Sequence, residues 1–409
     1  MTIRTQDDPF TNNRVSLITC VVSLFAVLAA TTVQGAEWRI EPLIRAAANF
    51  DDNATLAVRT DAEEEISGYI IDARARFAYA SPTTDFFVTP ILRYRDYGDP
   101  RFDADDQFLR LNFERETQKN NFQVRANYDN ESVRTAERAD ADLDVEDPDA
   151  IRDEDTGRVI FQGQRERIEL IPSWTYRLSD ASSLSARVSY RDVQYDEIFA
   201  GLLDDYTNGR VNLSYQRAWT PRYSAVVVGS YRQYEAEGRE EVTGVGIRAG
   251  MVGSVSRNTR IRVLVGVEGA DNESGGRDLE PVADISLVRR LQTITLLAQY
   301  RRSISGGGAG TLSSRDEINL NFTRRLSERV SAGLGVRAYA TNALEGDVVN
   351  FDERDYVQLR AQFTWNLTRT WFIQADYRYT FLNRQLIGES GNSNDVTIWL
   401  SYRPTAIVW

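Results

Sequence analysis

Histidine is absent from all 409 residues, and cysteine occurs once, at Cys20. Without an imidazole the usual general base and the commonest metal ligand are missing, so neither enzymatic catalysis nor a cofactor is expected. A lone cysteine excludes a disulfide framework and thiolate metal sites. After Ala30 there is no apolar run of the roughly 18 residues that a spanning helix needs, which excludes a helical membrane protein. A surplus of basic charge is lacking too. The 48 Lys and Arg against 60 Asp and Glu leave a net charge of −12, which argues against a nucleic-acid partner.

What is present begins with a secretory signal over residues 1–36. Arg4 and Arg14 precede an apolar run from Val15 to Ala30, and small residues follow at Val33, Gly35 and Ala36. Cleavage is expected after Gly35 or Ala36. Cys20 follows Thr19 inside the apolar run, so it reads as a hydrophobic filler removed with the signal rather than a lipid attachment point.

From Trp38 onward the pattern has period two. Tyr69, Ile71, Ala73, Ala75, Phe77 and Tyr79 alternate with a set that includes Asp72, Arg74 and Arg76, and Val357, Leu359, Ala361, Phe363 and Trp365 alternate with Gln358, Arg360, Gln362 and Thr364. A sandwich would share that alternation. The turn spacing separates the two: short polar turns recur at Leu178-Ser179, Trp219-Thr220, Val255-Ser256, Leu291-Gln292, Leu326-Ser327 and Leu367-Thr368, and a longer acidic or Gly-rich loop lies between each pair. Short turns alternating with long loops predict an all-β, antiparallel up-and-down transmembrane barrel of about 18 strands over residues 37–409, with both chain ends in the periplasm of a Gram-negative bacterium. The last strand is expected near residues 394–403, with Pro404 breaking its phase before Trp409. Aromatics at turn ends, Tyr79 with Phe86, Trp174 with Tyr176, Trp219 with Tyr223 and Trp365 with Trp371, predict a girdle at the headgroup boundary. Pro90 and Pro172 fall within strands and predict bulges.

Three segments invite a chemical reading. Residues 132–163 form a long acidic external loop in which Asp140, Asp142 and Asp144 alternate, but Val145 and Ile151 stand where a calcium loop needs Gly and Glu. Asp51-Asp52-Asn53 reads as a turn before it reads as a cation site, and Gly306-Gly307-Gly308-Ala309-Gly310 reads as a flexible loop tip. The arginines say more. Arg74, Arg76, Arg93, Arg95, Arg125, Arg187, Arg210, Arg232, Arg248, Arg262, Arg301, Arg337, Arg360, Arg378 and Arg403 all fall on the polar, inward phase, together with Asp72, Asp129, Glu169, Glu268 and Asp376. Either the lumen is knitted shut by ion pairs in a structural or adhesive barrel, or excess guanidinium lines a water-filled passage favouring anionic or hydroxyl-rich solutes.

The segment from Trp38 to Ile44, with Pro42 inside it, followed by Asn49-Phe50-Asp51-Asp52-Asn53, resembles the opening of the β-barrel porin 2 family of outer-membrane proteins. The resemblance implies that Asp51, Asp52 and Asn53 form a structural turn, and that the barrel is a pore for exopolysaccharide or capsule export working with periplasmic export components. A porin for small anionic solutes is the alternative. Expected partners are outer-membrane lipids, lipopolysaccharide and the barrel-assembly machinery, which reads the aromatic chain end.

Overall fold

The computed structural model describes residues 36–57, 63–138, 163–196, 203–272, 277–308, 310–344, 353–384 and 388–409. The signal segment and the Asp140, Asp142 and Asp144 series lie outside the described residues.

Strands follow one another as β1 (Glu37–Asp51), β2 (Ile66–Ala80), β3 (Thr84–Asp96), β4 (Ala104–Glu116), β5 (Asn120–Ser132), β6 (Gln164–Ser179), β7 (Ser182–Tyr195), β8 (Tyr206–Ala218), β9 (Tyr223–Ala236), β10 (Val242–Ser256), β11 (Thr259–Asn272), β12 (Arg277–Arg290), β13 (Ile294–Gly306), β14 (Leu312–Arg325), β15 (Val330–Ala343), β16 (Arg354–Asn366), β17 (Trp371–Arg384) and β18 (Glu389–Tyr402). One helical turn, α1 (Val133–Ala136), follows β5. Each strand pairs antiparallel with its sequence neighbours, and β1 closes the barrel on β18 from Ile44↔Tyr402 to Asp51↔Asp395.

Side chains alternate across this wall because successive Cβ atoms in a strand point to opposite faces. Ile247, Val265, Leu334 and Ile398 are exposed on the outside, whereas Asp72, Gln358 and Ser393 are fully buried within. Only a closed barrel lets strands satisfy every backbone group in lipid, and an apolar exterior over a polar interior is its outer-membrane form. The chain is a multi-pass barrel of the outer membrane, with the short turns gathered at one end, the periplasmic end in barrels of this kind. Trp174, Trp219, Trp365 and Trp371 are exposed at that end, as a girdle requires. Tyr79 and Phe86 depart from it: they are buried in an aromatic cluster with Trp38 and Phe113.

The prolines do not make the expected bulges. The β2–β3 register is the same on both sides of Pro90, from Arg74↔Ile91 to Phe77↔Val88, and the β6–β7 register is the same on both sides of Pro172. The ladder skips two residue pairs instead, because a proline has no N–H to donate but can still keep its place in the pleat. The register shifts instead at turns, between Ser254 and Ser256 and between Arg177 and Ser179.

Two features of the last strand differ from expectation. β18 starts at Glu389, because Gly391, Asn392 and Ser393 pair with Leu382, Phe381 and Thr380. Past Pro404 a short strand, β19 (Ile407–Val408), returns to β1 as Arg39↔Val408 and Ile40↔Ile407, one residue out of step with β18. That offset switches the parity, so Trp409, bonded in both directions with the Trp38 backbone at 3.0 and 3.1 Å, shares the outward phase of Trp38.

Candidate functional site

Lys119 is the only lysine among the 48 basic residues, and the guanidinium fork of Arg can serve several acceptors at once. Asp72 shows the consequence. It is fully buried on the inner wall and takes Arg45 at 3.0 Å, Arg74 at 3.0 Å and Arg93 at 3.1 Å, so three cations share one carboxylate. Asp129 is shared by Arg110 and Arg167. Glu268 is shared by Arg210 and Arg232, and Glu317 by Arg315 at 3.3 Å and Arg337 at 3.2 Å. In each of these clusters one carboxylate is shared by two or three guanidinium groups.

The remaining expected arginines sit as follows. Arg95 pairs with Asp106, Arg360 with Asp376 at 2.8 Å and Arg378 with Asp395 at 3.6 Å. Arg262 faces Asp284 at 3.9 Å. Arg248 donates to Asn212 at 3.3 Å and Arg125 to Gln123 at 3.4 Å. Arg187 and Arg301 line a cavity. Arg76 is exposed toward the periplasmic end and lies over Phe87, its guanidinium carbon 4.1 Å from the ring centroid, and Arg403 lies over Phe372 at 5.1 Å.

Among the described residues, two cavities lie within the barrel. The first, about 540 Å³, is lined by Arg45, Arg74, Arg93, Arg167, Arg360 and Trp399 among others, from β1–β6 and β15–β18. Its roof is the α1 segment, which was part of the expected external loop but crosses the mouth of the barrel. Glu137 accepts from Arg165 at 3.1 Å and from the Tyr195 hydroxyl at 2.7 Å, and Arg134 stacks over Tyr97. Arg138 ends the crossing on the far wall, donating to Asp51 at 2.6 Å and to the Ser393 hydroxyl at 2.5 Å. Burial disfavours the Arg138 cation, but the Asp51 carboxylate outweighs it and holds the Arg138 pKa above its ordinary value.

Asp51-Asp52-Asn53 is therefore a turn with a second task. Asp52 accepts from the Asn394 backbone N–H at 2.6 Å and its side-chain amide at 2.7 Å. Asn53 brackets Ala57 from both sides and donates to the Asn392 carbonyl at 2.9 Å. These bonds turn the chain inward, so that Leu56, at a φ of 51° that is rare for a branched side chain, packs under Tyr339 and Tyr356. Asp51 meanwhile holds the α1 segment. Nothing in the sequence pairs Asp51 with Arg138 across 87 residues.

The second cavity, about 500 Å³, lies against β4–β14. The described glycines of the Gly-rich segment before its tip are bonded to neighbouring elements beside this cavity. Tyr234 donates to the Gly307 carbonyl at 2.7 Å and the Asp204 N–H to the Gly308 carbonyl at 2.8 Å. A Cβ on Gly308 would stand 2.4 Å from the Tyr195 hydroxyl, so any larger residue must displace the tyrosine ring or the segment itself.

No protein-family model matches the chain, and no curated protein matches it in sequence. Among solved structures the chain is similar to OpdQ of Pseudomonas aeruginosa, at 8% identity over 90% of this chain and 98% of that one, with a TM-score of 0.46. It is similar to the outer membrane channel DcaP of Acinetobacter baumannii at 11% identity over 91% and 99% of the two chains, with a TM-score of 0.44. OccAB4 of Acinetobacter baumannii gives 11% identity over 92% and 99%, with a TM-score of 0.47.

Proposed function

We propose that the protein is a passive outer-membrane channel that favours small anionic solutes. The observation that carries this is the sharing of buried carboxylates: Asp72, Asp129, Glu268 and Glu317 each serve two or three inward arginines. A lumen closed by ion pairing would match charges nearly one to one. Excess positive charge in a narrow, low-dielectric passage raises the local concentration of anions and repels cations. No reaction is proposed.

Export of a polysaccharide rests on the N-terminal resemblance alone. The inward turn at Asp51, the α1 segment and the Gly-rich hairpin all fold across the outer mouth, an arrangement that suits small solutes better than a polymer. Proteoliposome swelling separates the readings. Vesicles containing the folded barrel are expected to swell faster in a small organic anion such as gluconate than in a cation of similar size. Equal rates, or a cation preference, contradict the proposal.

A further inference from the structure

Above Arg302 the ladder between β12 and β13 stops short of those on either side. β12 and β13 pair from Arg290↔Thr295 as far as Ala283↔Arg302, yet β12 continues along β11 to Arg277 and β13 continues along β14 to Gly306. The break falls beside Pro281, which has no N–H to offer β13. Beyond it β13 leans into the barrel. Ile304 belongs to the outward phase of its strand, but it is 1% exposed and packs with the inward-facing Tyr206, Tyr234 and Ala270.

Arg302 occupies this seam. Its Nε donates to the Pro281 carbonyl at 3.2 Å, and its guanidinium pairs with Glu280 at 3.2 Å and Asp316 at 3.0 Å. Glu280 lies in the inward phase, opposite Glu268. Asp316 neighbours the inward Glu317 and lies in the outward phase, where it accepts from the Tyr300 hydroxyl at 2.6 Å. One side chain thus meets carboxylates from both faces of the wall, which a closed ladder would keep apart. On the membrane side Leu279 flanks the seam at 65% exposure. On the inner side Val282, Arg302 and Ile304 line the second cavity.

That cavity is amphipathic. Val226, Val228 and Val252 line it as an apolar patch, with Leu264 buried behind them, next to Arg248 and Arg262. An apolar strip beside guanidinium groups, next to an interrupted ladder at the lipid boundary, matches a molecule with one anionic head and one alkyl chain. Unpaired strand edges are costly in hydrocarbon and are tolerated where they serve a passage. We infer that the β12–β13 seam is a lateral portal through which a single-chain anionic amphiphile, carboxylate or phosphate, passes between the second cavity and the outer leaflet, with Arg302 as its latch. The portal uses the cavity of the proposed channel but does not require ion conduction.

The test places a bimane fluorophore in the second cavity of the full-length barrel through Val228→Cys, with Cys20→Ser, in lipid vesicles. The probe is 12-doxylstearate, a spin-labelled carboxylate that quenches bimane on contact. Saturable quenching is expected, with competition by dodecyl phosphate but not by acetate, and the same fluorophore at Arg74→Cys in the first cavity is expected to stay bright. Arg302→Ala is expected to speed quenching severalfold, and Pro281→Val, which restores a ladder donor, to slow it. Heat-modifiable gel migration identifies folded variants, and Arg302→Lys stands in if Arg302→Ala does not fold. Equal quenching at both positions, or rates indifferent to residues 281 and 302, would overturn the portal. Conductance recorded on the same samples keeps the two proposals apart, since anion current without quenching removes the portal alone and quenching without current removes the channel alone.

Discussion

At the scale of single residues, the energetics turn on carboxylates that are outnumbered. Asp72 is buried beneath Arg45, Arg74 and Arg93, and removing the partner of a buried charge costs more than the pair itself contributes. Asp72→Asn is expected to destabilise the barrel by about 3 kcal/mol or more, the range for breaking a buried pair, as read from urea unfolding in vesicles. It is also expected to strengthen any preference for anions, because three guanidinium groups lose their counter-charge. Arg138 and Asp51 form the other pair of consequence. With its pKa held up by Asp51, Arg138 stays charged throughout the physiological range, so the α1 segment is not released by mild pH change. Arg138→Ala is expected to release it, which planar-bilayer recordings would show as a larger single-channel conductance; an unchanged conductance would mean that the segment does not limit flow.

At the scale of elements, most strands were legible because lipid imposes a strict alternation: one misplaced charge on the outer face costs about 2–4 kcal/mol at mid-bilayer. β2 (Ile66–Ala80) contains the whole predicted alternation from Tyr69 to Tyr79. Legibility failed where that pressure stops, above the membrane. Glu389 to Asn394 is polar on both faces, so the start of β18 reads as loop, although its backbone is recruited by Asp52 and Asn53. The Gly-rich tip reads as flexible because composition cannot reveal that Tyr195 and Tyr234 lie close against it. Gly308→Val is expected to push this hairpin off its seat at a cost of about 1–3 kcal/mol, the usual range for overpacking, and to raise conductance through the second cavity. The prolines at 90 and 172 misled in a different way: a lost donor can be absorbed as a gap in the ladder without an extra residue.

For the whole molecule, strand phase assigns each arginine a face. Charge balance is not legible in the same way. The sequence shows 60 acids to 48 bases, which suggests a negative protein, whereas the described inner wall concentrates arginines around shared carboxylates. The face assignment itself can be tested at adjacent residues. Ile247→Arg, on the exposed outer face, is expected to lower stability by about 2–4 kcal/mol, and Arg248→Ile is expected to alter ion selectivity instead. The central claim is the positive excess of the lumen, and the most direct measurement is the zero-current potential of the purified barrel in a planar bilayer under a potassium chloride gradient. A potential of the sign set by chloride is expected, reduced in the Arg74→Ser/Arg93→Ser variant; a potential of the sign set by potassium would contradict it.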